Sequence, residues 1–131
     1  MISVQLARDL LAAGVLWQPR AGDRFVIDAE LLTQEVFWIS DLTVEVHHYG
    51  GQSVLGFNGT TEWALDSVTL DQALWLPRED QLRELLGNRL ESVHRMDGAG
   101  WEVTYAVRPG YVQSVTDPDL ECAYARAVLD L

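Results

Sequence analysis

Two segments of this chain alternate between apolar and polar residues, and this alternation is the strongest constraint on its fold. In "LTVEVHH", Leu42, Val44 and Val46 would lie on one face of a strand, and the glycine turn "YGGQ" follows. In "WEVTYAV", which the turn "DGAG" precedes, the same period of two recurs. Alternation beside a short glycine turn is typical of a β-hairpin with one buried face. The chain is therefore expected to build antiparallel sheet.

Three further segments carry apolar residues at the spacing of an α-helix. The first follows Ser3, which is a good N-terminal cap, and stops at Gly14. The second opens just after Pro77 and stops at Gly87. For the third, Asp117 is the expected N-cap, and the apolar stripe continues to the last residue.

Helices that pack on one antiparallel sheet are the simplest architecture for this order of elements. The short runs "RFVI" and "EVFWIS" add strands before the hairpins. We expect a single α+β domain over residues 1–131, built on a mainly antiparallel sheet of about five to seven strands. N-terminal, middle and C-terminal helices would cover this sheet.

A cluster of charges in "PREDQLRELLG" invites interpretation as a site. Glu79 and Asp80 fall in the first helical turn, where the helix dipole favours negative charge. Arg83 follows Glu79 by four residues and can pair with it across the helix face. We interpret the cluster as a helix start.

Charge excludes several functions. The chain has 20 acidic and 9 basic residues, a net charge of −11, and all of its basic residues are arginines. Without lysine there is no Schiff-base, pyridoxal or phosphate-loop lysine. An acidic surface repels nucleic acid and anionic lipid, so we expect neither nucleic acid nor membrane as a partner and favour a basic protein.

The lone Cys122 and the lack of a signal-peptide pattern indicate a cytoplasmic protein.

Motifs for catalysis or cofactor binding are absent from the sequence. It has no GxSxG, GxGxxG or GxxxxGK[ST] segment, and Cys122 fits a packed thiol on the last helix. His47 shares a strand face with Glu45, but His48 would point to the opposite face, which disfavours a metal site. We therefore predict no catalytic residue, cofactor or metal, and an enzyme is the less favoured interpretation.

The five tryptophans are a richer signal. Trp75 and Trp101 fit the core by their spacing, whereas Trp38 and Trp63 fit either the core or an interface. Together with nearby polar residues, these two define a candidate binding surface or pocket, which consists of Trp38, Glu45, His47, Tyr49, Glu62 and Trp63.

Two functions fit these features. The first is a non-catalytic acidic protein-interaction module, of the adaptor or immunity type. The alternative is a small ligand- or metal-binding, enzyme-like domain with a pocket near the strands of His47 and Glu62. A homodimer is also expected, because hairpins leave sheet edges that need covering.

The segments "LTVEVHHYGGQSVLGFNGTTEWALDS", "ALWLPREDQLRELLG" and "AYARAVLDL" resemble a family of small uncharacterised proteins from high-GC bacteria. Some members of that family carry a pilus-assembly label, which belongs to a much larger P-loop ATPase. This chain has neither a phosphate loop nor a lysine, so the label implies no ATP chemistry here. The resemblance implies a cytoplasmic bacterial protein and brings no catalytic residues.

Overall fold

A computed structural model of the protein describes residues 1–29, 33–40, 44–49, 52–57, 67–69 and 71–131, with the backbone alone for 44–49, 52–57 and 67–69. The α+β class is confirmed. In chain order the described elements are α1 Val4–Ala12, β1 Arg24–Ile27, β2 Phe37–Trp38, β3 Val44–Tyr49, β4 Gln52–Phe57, β5 Ser67–Thr69, β6 Ala73–Leu76, α2 Glu79–Leu86, a 3₁₀ turn Gly87–Arg89, β7 Leu90–Met96, β8 Gly100–Arg108, β9 Tyr111–Asp117 and α3 Leu120–Leu129.

The strands pair antiparallel throughout the described part of the chain, but they do not share one sheet. They form three sheets of three strands, ordered β2-β1-β6, β3-β4-β5 and β7-β8-β9. The prediction of one sheet of five to seven strands is thus only partly matched. The sequence pattern shows strands and hairpins, whereas the pairing of β1 with the distant β6 depends on non-local contacts.

The chain divides into two compact units. One contains Met1–Leu16 and Pro77–Leu131, and the other contains Trp17–Leu76. The first unit therefore holds the three helices and the β7-β8-β9 sheet, and the second holds the other two sheets. A single domain over residues 1–131 stays a prediction.

In the first unit, α3 contacts β8, β9, α1 and α2. Residues with no exposed surface come from α3, β8 and α2. They include Ala123, Ala125 and Ala127 of α3, Val103 and Tyr105 of β8, and Leu82 of α2. Alanine side chains allow a helix to approach its neighbours closely, and two large β8 side chains fill the remaining space. Cys122 is also buried, and burial raises the pKa of its thiol.

The starts and ends of the first two helices follow the sequence signals. The Ser3 hydroxyl accepts a hydrogen bond from the N–H of Leu6, so the predicted cap of α1 is confirmed. In α2, Arg83 lies 3.5 Å from Glu79, as their spacing predicts. Gly87 ends α2 with a φ of +56°, a conformation that favours glycine.

The predicted start of α3 at Asp117 is wrong. The helix begins at Leu120, and its N-cap is Asp119, whose carboxylate accepts from the N–H of Cys122. Asp117 is instead the last residue of β9, opposite Trp101 of β8. Because the ladder holds Asp117 in an extended conformation, the helix can begin only after it.

Glu121 connects the starts of the three helices. One of its carboxylate oxygens accepts from the N–H of Ile2 at 3.1 Å, and the other accepts from the N–H of Glu79 at 2.9 Å. The N–H of Glu79 lies in the first turn of α2, where N–H groups have no partner within the helix and an acidic side chain satisfies them well. Ile2 directly precedes Ser3, the N-cap of α1. This contact therefore orients α2 relative to α3.

Gly100, at the start of β8, combines two requirements. Its φ is +100°, and a Cβ atom there would lie 2.5 Å from the carbonyl oxygen of Asp117. Gly98, in the preceding turn, has a φ of +72° but nothing within 4 Å of its Cβ position. A substitution at Gly98 therefore tests the backbone conformation alone, whereas one at Gly100 tests the conformation together with the close contact.

We expect Gly100→Ala to lower the free energy of unfolding by about 3 kcal/mol or more, because it adds a steric clash to an unfavourable φ. Gly98→Ala has only the unfavourable φ and is expected to lose about 1 kcal/mol. Urea denaturation of both variants measures the difference. Equal losses in the two variants would show that the close contact between Gly100 and Asp117 does not affect the free energy of unfolding.

The hydroxyl of Tyr105 donates to Asp130, and burial together with this hydrogen bond raises the pKa of Tyr105 above its usual value of 10.0. Above pH 10 the unfolded chain loses this proton while the folded chain keeps it. The free energy of unfolding should then fall by about 1.4 kcal/mol per pH unit from this group.

Tyr105→Phe removes this contribution. We expect the variant to be less stable than the parent protein at neutral pH by about 1–2 kcal/mol, because the hydrogen bond is lost. Between pH 10 and pH 11, its stability should decline less steeply. Urea denaturation at several pH values gives both slopes, and identical slopes would contradict the assignment.

Candidate functional site

Trp38 is the exposed tryptophan of the described part of the chain, with 50% of its surface accessible. It lies on the edge strand β2, directly opposite Arg24 of β1. The Arg24 guanidinium carbon lies 5.8 Å from the centre of the Trp38 ring, within cation–π range. A large aromatic surface is thus presented on an ordered strand.

Arg24 is itself buried, with 8% of its surface exposed. Its Nε donates to the carbonyl oxygen of Leu76 on the neighbouring strand β6, at 3.2 Å. The guanidinium therefore connects all three strands of the sheet, since it bonds to β6 and lies against the tryptophan of β2. This arrangement restricts the positions that the Trp38 ring can adopt.

An aromatic row occupies the other face of these strands. Phe37, Phe25 and Trp75 lie opposite one another across β2, β1 and β6, and the rings of Phe25 and Phe37 are 5.6 Å apart. Trp17 lies nearly parallel to Trp75, at 6.4 Å between ring centres. In the described part of the chain, the buried indole N–H of Trp75 has no hydrogen-bond acceptor. Apolar packing therefore stabilises this face.

Asp23 anchors the loop that precedes β1. This residue is 1% exposed, and its Oδ2 accepts from the Trp17 indole N–H at 2.9 Å and from the Arg20 N–H at 3.0 Å. Its backbone carbonyl accepts from the N–H of Ile39, the residue after Trp38. Asp23 thus holds both the Trp17 loop and the end of β2.

The other predicted surface residues are not brought together with Trp38 in one sheet. Glu45, His47 and Tyr49 occupy alternate positions of β3, opposite Gly56, Val54 and Gln52. β3 belongs to the β3-β4-β5 sheet, whereas Trp38 belongs to the β2-β1-β6 sheet.

Glu62 and Trp63 lie outside the described residues. A pocket near His47 and Glu62 therefore stays a prediction.

No group of three or more His, Cys, Asp or Glu side chains among the described residues is arranged to hold a metal ion. None of the described helices has both the length and the apolar character required to cross a bilayer.

A second exposed aromatic feature was not predicted. Tyr111 and Val112 of β9 are 57% and 55% exposed, and the Arg108 guanidinium carbon lies 3.9 Å from the centre of the Tyr111 ring. The sequence signal was the run "YVQSVTD", which contains no charge before its last residue. Its importance depends on the position of β9 at a sheet edge, which the sequence pattern does not show.

No family model, curated protein or solved structure matches this chain. The resemblance to small proteins of high-GC bacteria therefore stays a prediction.

Substitution of Asp23 tests whether its carboxylate stabilises the loop before β1 and the end of β2. We expect Asp23→Ala to lower the free energy of unfolding by about 2–4 kcal/mol, because two donors lose their buried charged acceptor. Asp71→Ala, which changes an exposed aspartate in the same unit, should change stability by less than about 0.5 kcal/mol. Urea denaturation compares the two, and a loss below about 1 kcal/mol in Asp23→Ala would contradict the anchoring role.

Proposed function

We propose that this protein is a non-catalytic protein-interaction module that uses Trp38 as its central contact. The observation that carries the proposal is the exposed Trp38 ring beside the buried Arg24. Tryptophan and arginine are enriched among the residues that dominate binding energy at interfaces. A ring held in place loses little conformational entropy when a partner covers it, which favours binding.

The net charge supports a basic partner. At −11, the chain attracts a positively charged protein and accelerates its association at low ionic strength. We place this interaction in the cytoplasm, where a lone cysteine such as Cys122 stays reduced. Burial raises the pKa of the Cys122 thiol, which disfavours a nucleophilic role and supports binding over catalysis.

Affinity purification from the native host at low salt tests this proposal. We expect the tagged protein to retain one basic partner in stoichiometric yield, and Trp38→Ala to weaken that binding by about tenfold or more. Leu16→Ala serves as the matched control, because Leu16 is the more exposed apolar residue, at 79%. It should bind like the parent protein.

Two further measurements make the result decisive. Trp38→Ala should unfold at nearly the same urea concentration as the parent protein, so that lost binding is not lost folding. Raising the salt concentration should weaken the complex. Retention of no partner, or a partner that binds equally well to Trp38→Ala, would overturn the proposal.

A further inference from the structure

The two edges of the β7-β8-β9 sheet differ in how they are protected against pairing. β7 carries a bulge at Glu91 and two further titratable residues, His94 and Arg95. Bulges and charged side chains are common devices that keep an edge strand from pairing with another chain. β9 lacks both, since it pairs with β8 without an extra residue of its own and carries no charge from Tyr111 to Thr116.

From this difference we infer that β9 pairs antiparallel with β9 of a second copy of the chain. The product is a homodimer in which two three-stranded sheets join into one continuous sheet around a two-fold axis. Within the described part of the chain, no backbone hydrogen bond is made to the outer side of β9. Its outward N–H and C=O groups are therefore available to a second strand.

Geometry restricts the register of this pairing. Directly opposed residues of two antiparallel strands point to the same face of the sheet. A two-fold axis perpendicular to the sheet keeps this rule only if one residue lies opposite the same residue of the other copy, with the axis between them. Overlap along all of Tyr111–Asp117 places that axis at Ser114. Val112 of each copy then lies opposite Thr116 of the other.

Charge favours a second copy as the occupant at this edge. Two chains of −11 repel each other over most of their surfaces, but the run from Tyr111 to Thr116 brings no like charges together. In the same register Tyr111 lies opposite the second copy's Asp117. The Asp117 carboxylate is already held within its own chain by Arg126 and by the N–H of Asp119. The attraction comes instead from Arg108, whose guanidinium over the Tyr111 ring places positive charge at each end of the paired strands, next to an acidic second copy.

The edge is also ordered before pairing. β9 is bonded to β8 from Tyr111 to Asp117, and α3 contacts both strands. Thr104 and Ser114 share a hydrogen bond of 2.8 Å between their hydroxyls on the open face of the sheet. A strand that is already extended and supported loses little entropy when it pairs.

Opposite charges at Ser114 test the interface. Ser114→Asp places two carboxylates directly opposite each other at the axis, and Ser114→Lys places two ammonium groups there. We expect each variant alone to raise the dimer dissociation constant by about tenfold or more. Sedimentation velocity over a concentration series measures this shift.

Mixing the two variants should restore the dimer, because Asp then lies opposite Lys. Native mass spectrometry distinguishes this mixed dimer from either parent by mass. Ser92→Asp is the matched control, since Ser92, Thr104 and Ser114 form one row and Ser92 lies on the protected edge strand β7. This control should dimerise like the parent protein, and circular dichroism should show an unchanged fold in all variants.

Several outcomes would overturn the inference. These are a monomeric parent protein at every concentration, a dimer that persists in Ser114→Asp, equal loss of the dimer in Ser92→Asp, or no recovery on mixing. None of them bears on the proposed role of Trp38, which lies in the other unit and is tested by a different partner.

Discussion

The packing of α3 is the interaction on which the rest of its unit depends. Every other helix of that unit, together with β8 and β9, contacts α3. Its fully buried alanines bring neighbouring elements close, and the Glu121 carboxylate accepts from Ile2 and from the start of α2. Apolar contact thus supplies the stabilisation, while one carboxylate specifies how the helix starts are arranged.

Two consecutive polar residues organise the β2-β1-β6 sheet. Asp23 and Arg24 are both buried, and each makes hydrogen bonds to a different segment. Asp23 holds the loop of Trp17 and the end of β2, whereas Arg24 bonds to β6 and lies against Trp38. Buried polar groups are costly unless satisfied, so this pair favours one specific arrangement of the surrounding strands.

Both exposed aromatic features have an arginine beside the ring. Arg24 lies against Trp38 in one unit, and Arg108 lies over Tyr111 in the other. In each case the guanidinium of an arginine on the neighbouring strand lies against an exposed ring. These are the two surfaces for which we propose separate contacts, Trp38 with a basic partner protein and the β9 edge with a second copy of the chain.

Several local features could be predicted from the sequence. The Ser3 cap, the Glu79–Arg83 pair and the Gly87 helix end each depend on residues within a few positions, and all are observed. Trp38 was among the predicted surface residues and is exposed, whereas the contact of Arg24 with its ring was not predicted. The start of α3 after Asp117, the division of the described strands among three sheets and the position of β9 at an edge could not be predicted from local patterns. These features depend on pairing between distant strands, which no local periodicity encodes.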